Sequence, residues 1–255
     1  VSLPWGNTPM NALDSNNKDH QEISKRIARK NISRQPDIFI QVSVPNEFKK
    51  MGKYNIGVTA GIETTAVSAE FIQGANNMDL LLVTSEHSKK SFTEVVYDKH
   101  DEKTKQKVGV LKLEVPVEVL FEGLDLDIYT KTSTISSAVK DELSNIHNDF
   151  CYLFVGHWLK GDIGQDRKDV GMMIKTFCEA FKRKSKHNRP ALILKTSFAT
   201  FSIIDRDMIM DRIHQITRPY GDDAPDIYLL HGDLSDVEMN SLYNHPKIKA
   251  MVSFT

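Results

Sequence analysis

A chain of 255 residues is long enough for two α/β domains of modest size or one large one. Its 40% apolar and 26% charged content is that of an ordinary globular protein, and 33 Lys and Arg against 34 Asp and Glu leave no global field to draw it to nucleic acid or to an anionic membrane. Apolar runs such as Leu80 to Val83 are far too short to span a bilayer, no signal peptide is expected, and Cys151 and Cys178, which form no CxxC pair, fit buried thiols in a reducing cytoplasm.

In chain order, residues 17–30 place Ile23 and Ile27 four apart among charges, which predicts a surface helix with one apolar stripe. Asp37 to Val44 is a β-branched run ended by Pro45 and predicts a strand, as does Tyr54 to Thr59. A turn rich in Gly and Thr follows, then a helix over 66–76, a buried strand over Asp79 to Thr84, and a helix capped by Ser85 and running through Glu94. Residues 98–107 are charged and free of apolar side chains, which predicts a solvated loop; Val115 to Leu120 predicts a strand.

Residues 130–149 are polar with a weak helical pattern and make the best linker, giving domains of 1–140 and 141–255. Beyond it the chain alternates: strand Tyr152 to Gly156, helix 167–184, strand Ala191 to Lys195, helix 204–216, strand Asp226 to Leu230, helix 235–243 and strand Ile248 to Phe254. Strand and helix alternating at this spacing predict βαβ units and a parallel sheet, hence an α/β fold.

Three places could carry chemistry. Glu63 and Thr64 stand in the turn after Tyr54 to Thr59, where a carboxylate could accept a hydrogen bond from an acceptor hydroxyl, or could merely cap the next helix. The loop His157 to Lys168 holds Lys160, Arg167 and Lys168 between a strand and a helix N-terminus, a setting that suits a diphosphate. Arg167 and Lys168 are read as lying in the first turn of that helix, where a cation opposes the dipole unless an anion joins it. The alternative is that Asp166 caps the helix and the cations are solvated. Lys195 ends an apolar strand and either reaches a ligand or simply meets water. No histidine pair has metal spacing, and His157 and His231 are too far apart in sequence to be linked. The cations Lys182, Arg183, Lys184, Lys186 and Arg189 read as a solvated helix end.

Several segments together resemble a known family. Asn76-Asn77-Met78-Asp79 through Val83 to Lys89, Val115-Pro116-Val117 through Glu122-Gly123-Leu124-Asp125, Phe154-Val155-Gly156 followed by Arg167-Lys168, and Leu234-Ser235-Asp236 with Leu242-Tyr243 resemble, in order and spacing, the family-4 (group-1) glycosyltransferases. The resemblance covers most of residues 37–255. It implies a GT-B fold of two Rossmann-like domains facing a cleft, both incomplete here. It also implies a nucleotide-sugar donor, an unspecified acceptor, retaining transfer, and neither cofactor nor obligatory metal. The family's donor-phosphate cations would fall on the loop of Lys160, Arg167 and Lys168. Its acceptor-side polar residue would fall on or near Glu63. The family's glycine-rich loop would precede Val1 and its glutamate-rich segment would follow Thr255, so the expectation is a piece without turnover. A sugar-nucleotide epimerase of the same fold, or a binding module that keeps the fold, are the alternatives.

Overall fold

The computed structural model describes residues 13–27, 34–101, 103–159, 163–185, 188–198 and 200–254. The chain forms two compact units, Val1–Glu122 and Gly123–Thr255, each built on its own four-stranded sheet.

In the first unit, helix α1 (Lys18–Lys25) is capped by the Asn17 side chain and buries none of its residues. Strands β1 (Ile38–Val42), β2 (Tyr54–Thr59), β3 (Leu80–Val83) and β6 (Val117–Val119) lie side by side in that order, all parallel. Parallel strands need crossovers, and α2 (Ala69–Ala75) and α3 (Glu86–Thr93) supply two of them, each started by a serine whose hydroxyl accepts a backbone N–H of the first turn. Helix α2 lies close to the turn at Pro45–Glu47: a Cβ on Gly74 would come 1.8 Å from the Pro45 carbonyl oxygen, so only glycine fits. Phe48, Ile72, Leu81, Val83 and Phe92 form the core beneath. Buried Asn55 is fully engaged. Its amide and side-chain nitrogens donate to Asp79 at 2.7 and 3.0 Å, and its oxygen accepts from the backbone of Met51 and Gly52.

The charged stretch 98–107 is not the expected solvated loop. Strands β4 (Tyr97–His100) and β5 (Lys107–Leu111) form an antiparallel hairpin across it, with Tyr97 opposite Leu111. Only the ends of the hairpin meet the core, through Tyr97 and Leu111, so the remaining positions need no apolar side chains and show no strand-like alternation.

The second unit begins earlier than the sequence indicates. Residues 123–140 were expected in the first domain, and 130–149 as a linker, yet they pack with the second unit. The Tyr129 hydroxyl donates to Asp236 at 2.8 Å, the Thr132 amide to Asn244 and the Ser136 amide to Ser241. Helix α4 (Ser137–Ser144) buries only Val139 and Leu143, a stripe too narrow to stand out in a polar segment. The remaining elements follow the predicted alternation: β7 (Cys151–Val155), α5 (Val170–Phe181), β8 (Ala191–Lys195), α6 (Ile203–Thr217), β9 (Ile227–Leu230), α7 (Asp236–Asn244) and β10 (Ile248–Met251).

The spatial order of the second sheet is β10-β7-β8-β9, all parallel. Strand β7 starts the series yet lies inside the sheet, because β10 returns to its far side. Helices α5 and α6 pack on one face, against Phe154, Trp158, Leu192 and Leu194. Helices α4 and α7 pack on the other, against Cys151, Leu153 and Ile193. Burying both faces explains the continuous apolar runs of β7 and β8.

The basic cluster near 182–189 is partly structural. Arg189 is largely buried and donates to the carbonyls of Lys184, Asp222 and Ala224 and to the Asp223 carboxylate. This arrangement ties the end of α5 to the turn after α6.

Candidate functional site

In open parallel sheets, ligands lie beyond the carboxyl ends of the strands, where the strand order reverses. In the second unit that point lies between β7 and β10. The chain leaving β7 continues its ladder for one turn, the Gly156 amide donating to the Lys195 carbonyl and the Trp158 amide to Ser197. It then enters the loop that leads to α5.

The sequence placed Arg167 and Lys168 in the first turn of that helix and, in the alternative reading, gave the cap to Asp166. The structure corrects both points. The N-cap is Asp169, whose carboxylate accepts the amides of Gly164 and Met172. Asp169 adopts φ 42°, ψ 49°, the left-handed region that short polar side chains tolerate best. Arg167 and Lys168 therefore precede the cap, in the turn that faces the positive end of the 12-residue α5. Arg167 is exposed and Lys168 half-buried. Lys160 lies outside the described residues.

Lys195 closes β8, and its ammonium donates to the Gly232 carbonyl and lies 5.2 Å from the centre of the Phe201 ring. Burial pulls its pKa below the usual lysine value, and nearby Asp233 opposes the shift. One of the three ammonium protons thus fastens β8 to the loop after β9.

The same edge holds residues that sequence reasoning left apart. His157 Nδ1 lies 3.2 Å from the hydroxyl of buried Ser197. His231 Nε2 lies 2.9 Å from Asp205 Oδ2, which also accepts the Phe198 amide. Both members of that pair are more than nine-tenths buried. The Arg212 guanidinium stacks 4.0 Å from the Phe198 ring centre and 5.7 Å from that of Trp158. The buried indole N–H of Trp158 and hydroxyl of Thr196 have no hydrogen-bond partner among the described residues. The sequence signal for the cluster was that its members, Arg212 in mid-helix apart, closely follow a predicted strand or open a helix.

In the first unit, Glu63 and Thr64 are exposed in the loop between β2 and α2. They do not cap α2, because Ser68 does. The loop is held by its backbone. Thr84 Oγ1 donates to the Ala60 carbonyl at 3.0 Å, and His87 Nε2 lies 3.1 Å from the Thr64 carbonyl. Gly61, at φ +82°, lies against Ser88, whose Oγ would be 2.2 Å from an added Cβ. Glu63 is thus placed at the carboxyl edge of the first sheet by a fixed loop.

Cys151 and Cys178 are buried and unpaired with each other, and burial raises both thiols to about 11. Among the described residues no group of three or more His, Cys, Asp or Glu gathers as a metal site would. No described helix is long and apolar enough to cross a membrane.

No family model matches the chain, and no curated protein does. Among solved structures the chain is similar to "Trehalose-6-phosphate from E. coli bound with UDP-2-fluoro glucose", at 12% identity over 86% of this chain and 52% of that one, with a TM-score of 0.48. It is also similar to an alpha,alpha-trehalose-phosphate synthase (UDP-forming) from Burkholderia xenovorans in complex with glucose-6-phosphate, at 11% identity over 82% and 52%, with a TM-score of 0.49. The chain spans about half the length of the solved structures it matches. The chain is an α/β protein with two parallel four-stranded sheets.

Proposed function

We propose that the chain is part of a nucleotide-sugar-dependent glycosyltransferase that retains anomeric configuration, and that the donor diphosphate sits on the loop between β7 and α5. The observation that carries this reading is the position of that loop. It leaves the reversal point of the second sheet and brings Arg167 and Lys168 to the positive end of α5. A diphosphate on this loop would be attracted both by the two cations and by the positive end of α5.

In the transfer, the bond between the sugar's anomeric carbon and the diphosphate breaks, a bond from that carbon to the acceptor oxygen forms on the same face, the acceptor's hydroxyl proton passes to the departing diphosphate, and negative charge grows on the departing oxygen as the bond breaks. Arg167 and Lys168 would stabilise that charge, a contribution of roughly 3–4 kcal/mol per well-placed donor. On the first unit taken by itself, we assign Glu63, with Thr64 beside it in the same loop, to the acceptor, where its carboxylate would accept a hydrogen bond from an acceptor hydroxyl. Lys160 would add a third cation to the donor loop.

Isothermal calorimetry with UDP, GDP and ADP tests the donor site. Charge-assisted hydrogen bonds are worth roughly 1.5–3 kcal/mol, and about 1.4 kcal/mol is one decade. Arg167→Ala and Lys168→Ala should therefore each weaken the best-bound nucleotide at least tenfold while leaving the unfolding midpoint nearly unchanged. Unaltered affinity in both variants removes the donor-site assignment.

A further inference from the structure

In the first unit the two faces of the parallel sheet differ. Residues paired in register share a face, and alternate residues point to the other. Gly57, Leu81 and Val83 face the core beneath α2 and α3, where Gly57 leaves room for the Phe48 ring. The opposite face carries Ile38, Ile40 and Val42 of β1 in register with Tyr54, Ile56 and Val58 of β2. Ile38, Ile40 and Val42 are 61, 58 and 76% exposed, Tyr54 is exposed, and Ile56 and Val58 are half-buried. Strand β1 is the edge of the sheet, so the bare apolar patch is two strands wide. Parallel sheets are ordinarily covered by helices on both faces.

The size of the patch selects its occupant. Two ladder spacings and the five residues of β1 make an area of about 10 by 17 Å, the footprint of a single helix about 10–12 Å across. A stable interface between two copies takes about 20–30 residues on each side, far more than these six. Helix α1 is the described α-helix that buries none of its residues. Its Ile23 is exposed, and Ile27 follows four residues on, the spacing of one helix face. Its eight residues make it about 12 Å long, which fits along β1. The connection from Lys25 to Ile38 is twelve residues, a reach of up to about 40 Å. Docking within one chain also avoids the loss of translational freedom that a separate partner meets. We propose that α1 docks through Ile23 and Ile27 on the outer face of β1 and β2, covering Ile38, Ile40, Val42 and Tyr54.

Thiol labelling of the whole chain tests this. Cys151 and Cys178 are buried, so a cysteine introduced as Ile40→Cys is the thiol that reports. A charged maleimide should label Ile40→Cys at least tenfold more slowly than it labels the same thiol in a chain that also carries Ile23→Gln and Ile27→Gln. Glutamine keeps the helix propensity of α1 and removes its apolar stripe. In a second measurement, Ile23→Cys should form a disulfide with at least one of Ile38→Cys, Ile40→Cys and Tyr54→Cys at least tenfold faster than with Val108→Cys, on the exposed β5. Tyr54→Cys carries the labelling comparison if Ile40→Cys does not fold. Equally fast labelling with and without the two glutamines overturns the docking, and so does a disulfide rate no higher than that with Val108→Cys. Equally slow labelling in both chains shows another occupant and overturns it as well. Protection that vanishes on dilution, with a dimer in sedimentation, assigns the face to a second copy and overturns α1 as its cover.

Discussion

At the scale of single residues, burial changes what the two thiols can do. Cys151 and Cys178 both have pKa values raised to about 11, chiefly because their apolar surroundings disfavour the thiolate. The folded chain therefore keeps two protons that an unfolded chain releases near the ordinary thiol value of 9.0. Stability from this source is complete below pH 9 and falls as pH rises through the interval to 11, because the unfolded state then binds fewer protons than the native one. At pH 10 the loss is about 1.4 kcal/mol per thiol. Urea unfolding at pH 8 and pH 10 should show Cys178→Ala losing about 1.4 kcal/mol less than the parent over that interval. An identical pH dependence in parent and variant contradicts the shift. The other residue-scale lesson is that Asp205, His231, His157 and Ser197 each look ordinary in the sequence. Their significance is a matter of partners brought from 26 and 40 residues away.

At the scale of elements, serine side chains cap most of the helices, and one of these caps was legible in the sequence. Ser85, the capping residue expected for α3, accepts the Ser88 amide at 3.1 Å. The start of α5 was misplaced because Asp166 and Asp169 are both good capping residues and the local pattern does not choose between them. The choice falls on Asp169 because its carboxylate also reaches back to the Gly164 amide, closing the loop onto the helix. Asp169→Ala should lower stability by about 1 kcal/mol through loss of the cap, with an added cost because alanine resists φ 42°. Asp169→Gly, which loses the same carboxylate but adopts that conformation freely, should fall less. Chemical denaturation of both variants checks the order, and a glycine variant less stable than the alanine one refutes the account. The hairpin β4–β5 was missed for a different reason. Periodicity reports burial, and most of this hairpin is exposed.

At the scale of the whole molecule, the division at Glu122 and Gly123 makes a further test available. Residues 123–140 give the second unit Ile135 and Val139 in its core, together with the polar ties of Tyr129, Thr132 and Ser136 to α7 and its C-terminal end. A fragment spanning 123–255 should unfold cooperatively in urea. One spanning 141–255, the boundary read from the sequence, loses two buried aliphatic side chains and should be less stable by several kcal/mol. Equal midpoints for the two fragments would show that the leading segment does not belong to the second unit.

By itself the sequence determined the α/β class, the parallel pairing and nearly every strand. Alternation of apolar runs and amphipathic helices is local information, and both faces of a parallel sheet must be covered. It also pointed to the loop of Arg167 and Lys168, since cations between a strand and a helix are visible without coordinates. Tertiary structure alone decided three things. It put the strand-order reversal at β7, because the position of β10 beside β7 is set by which face α7 crosses. It assigned residues 123–140 to the second unit through hydrogen bonds spanning more than a hundred residues. And it brought Phe201, Asp205 and His231 to one edge, because parallel strands align their carboxyl ends whatever the length of chain between them.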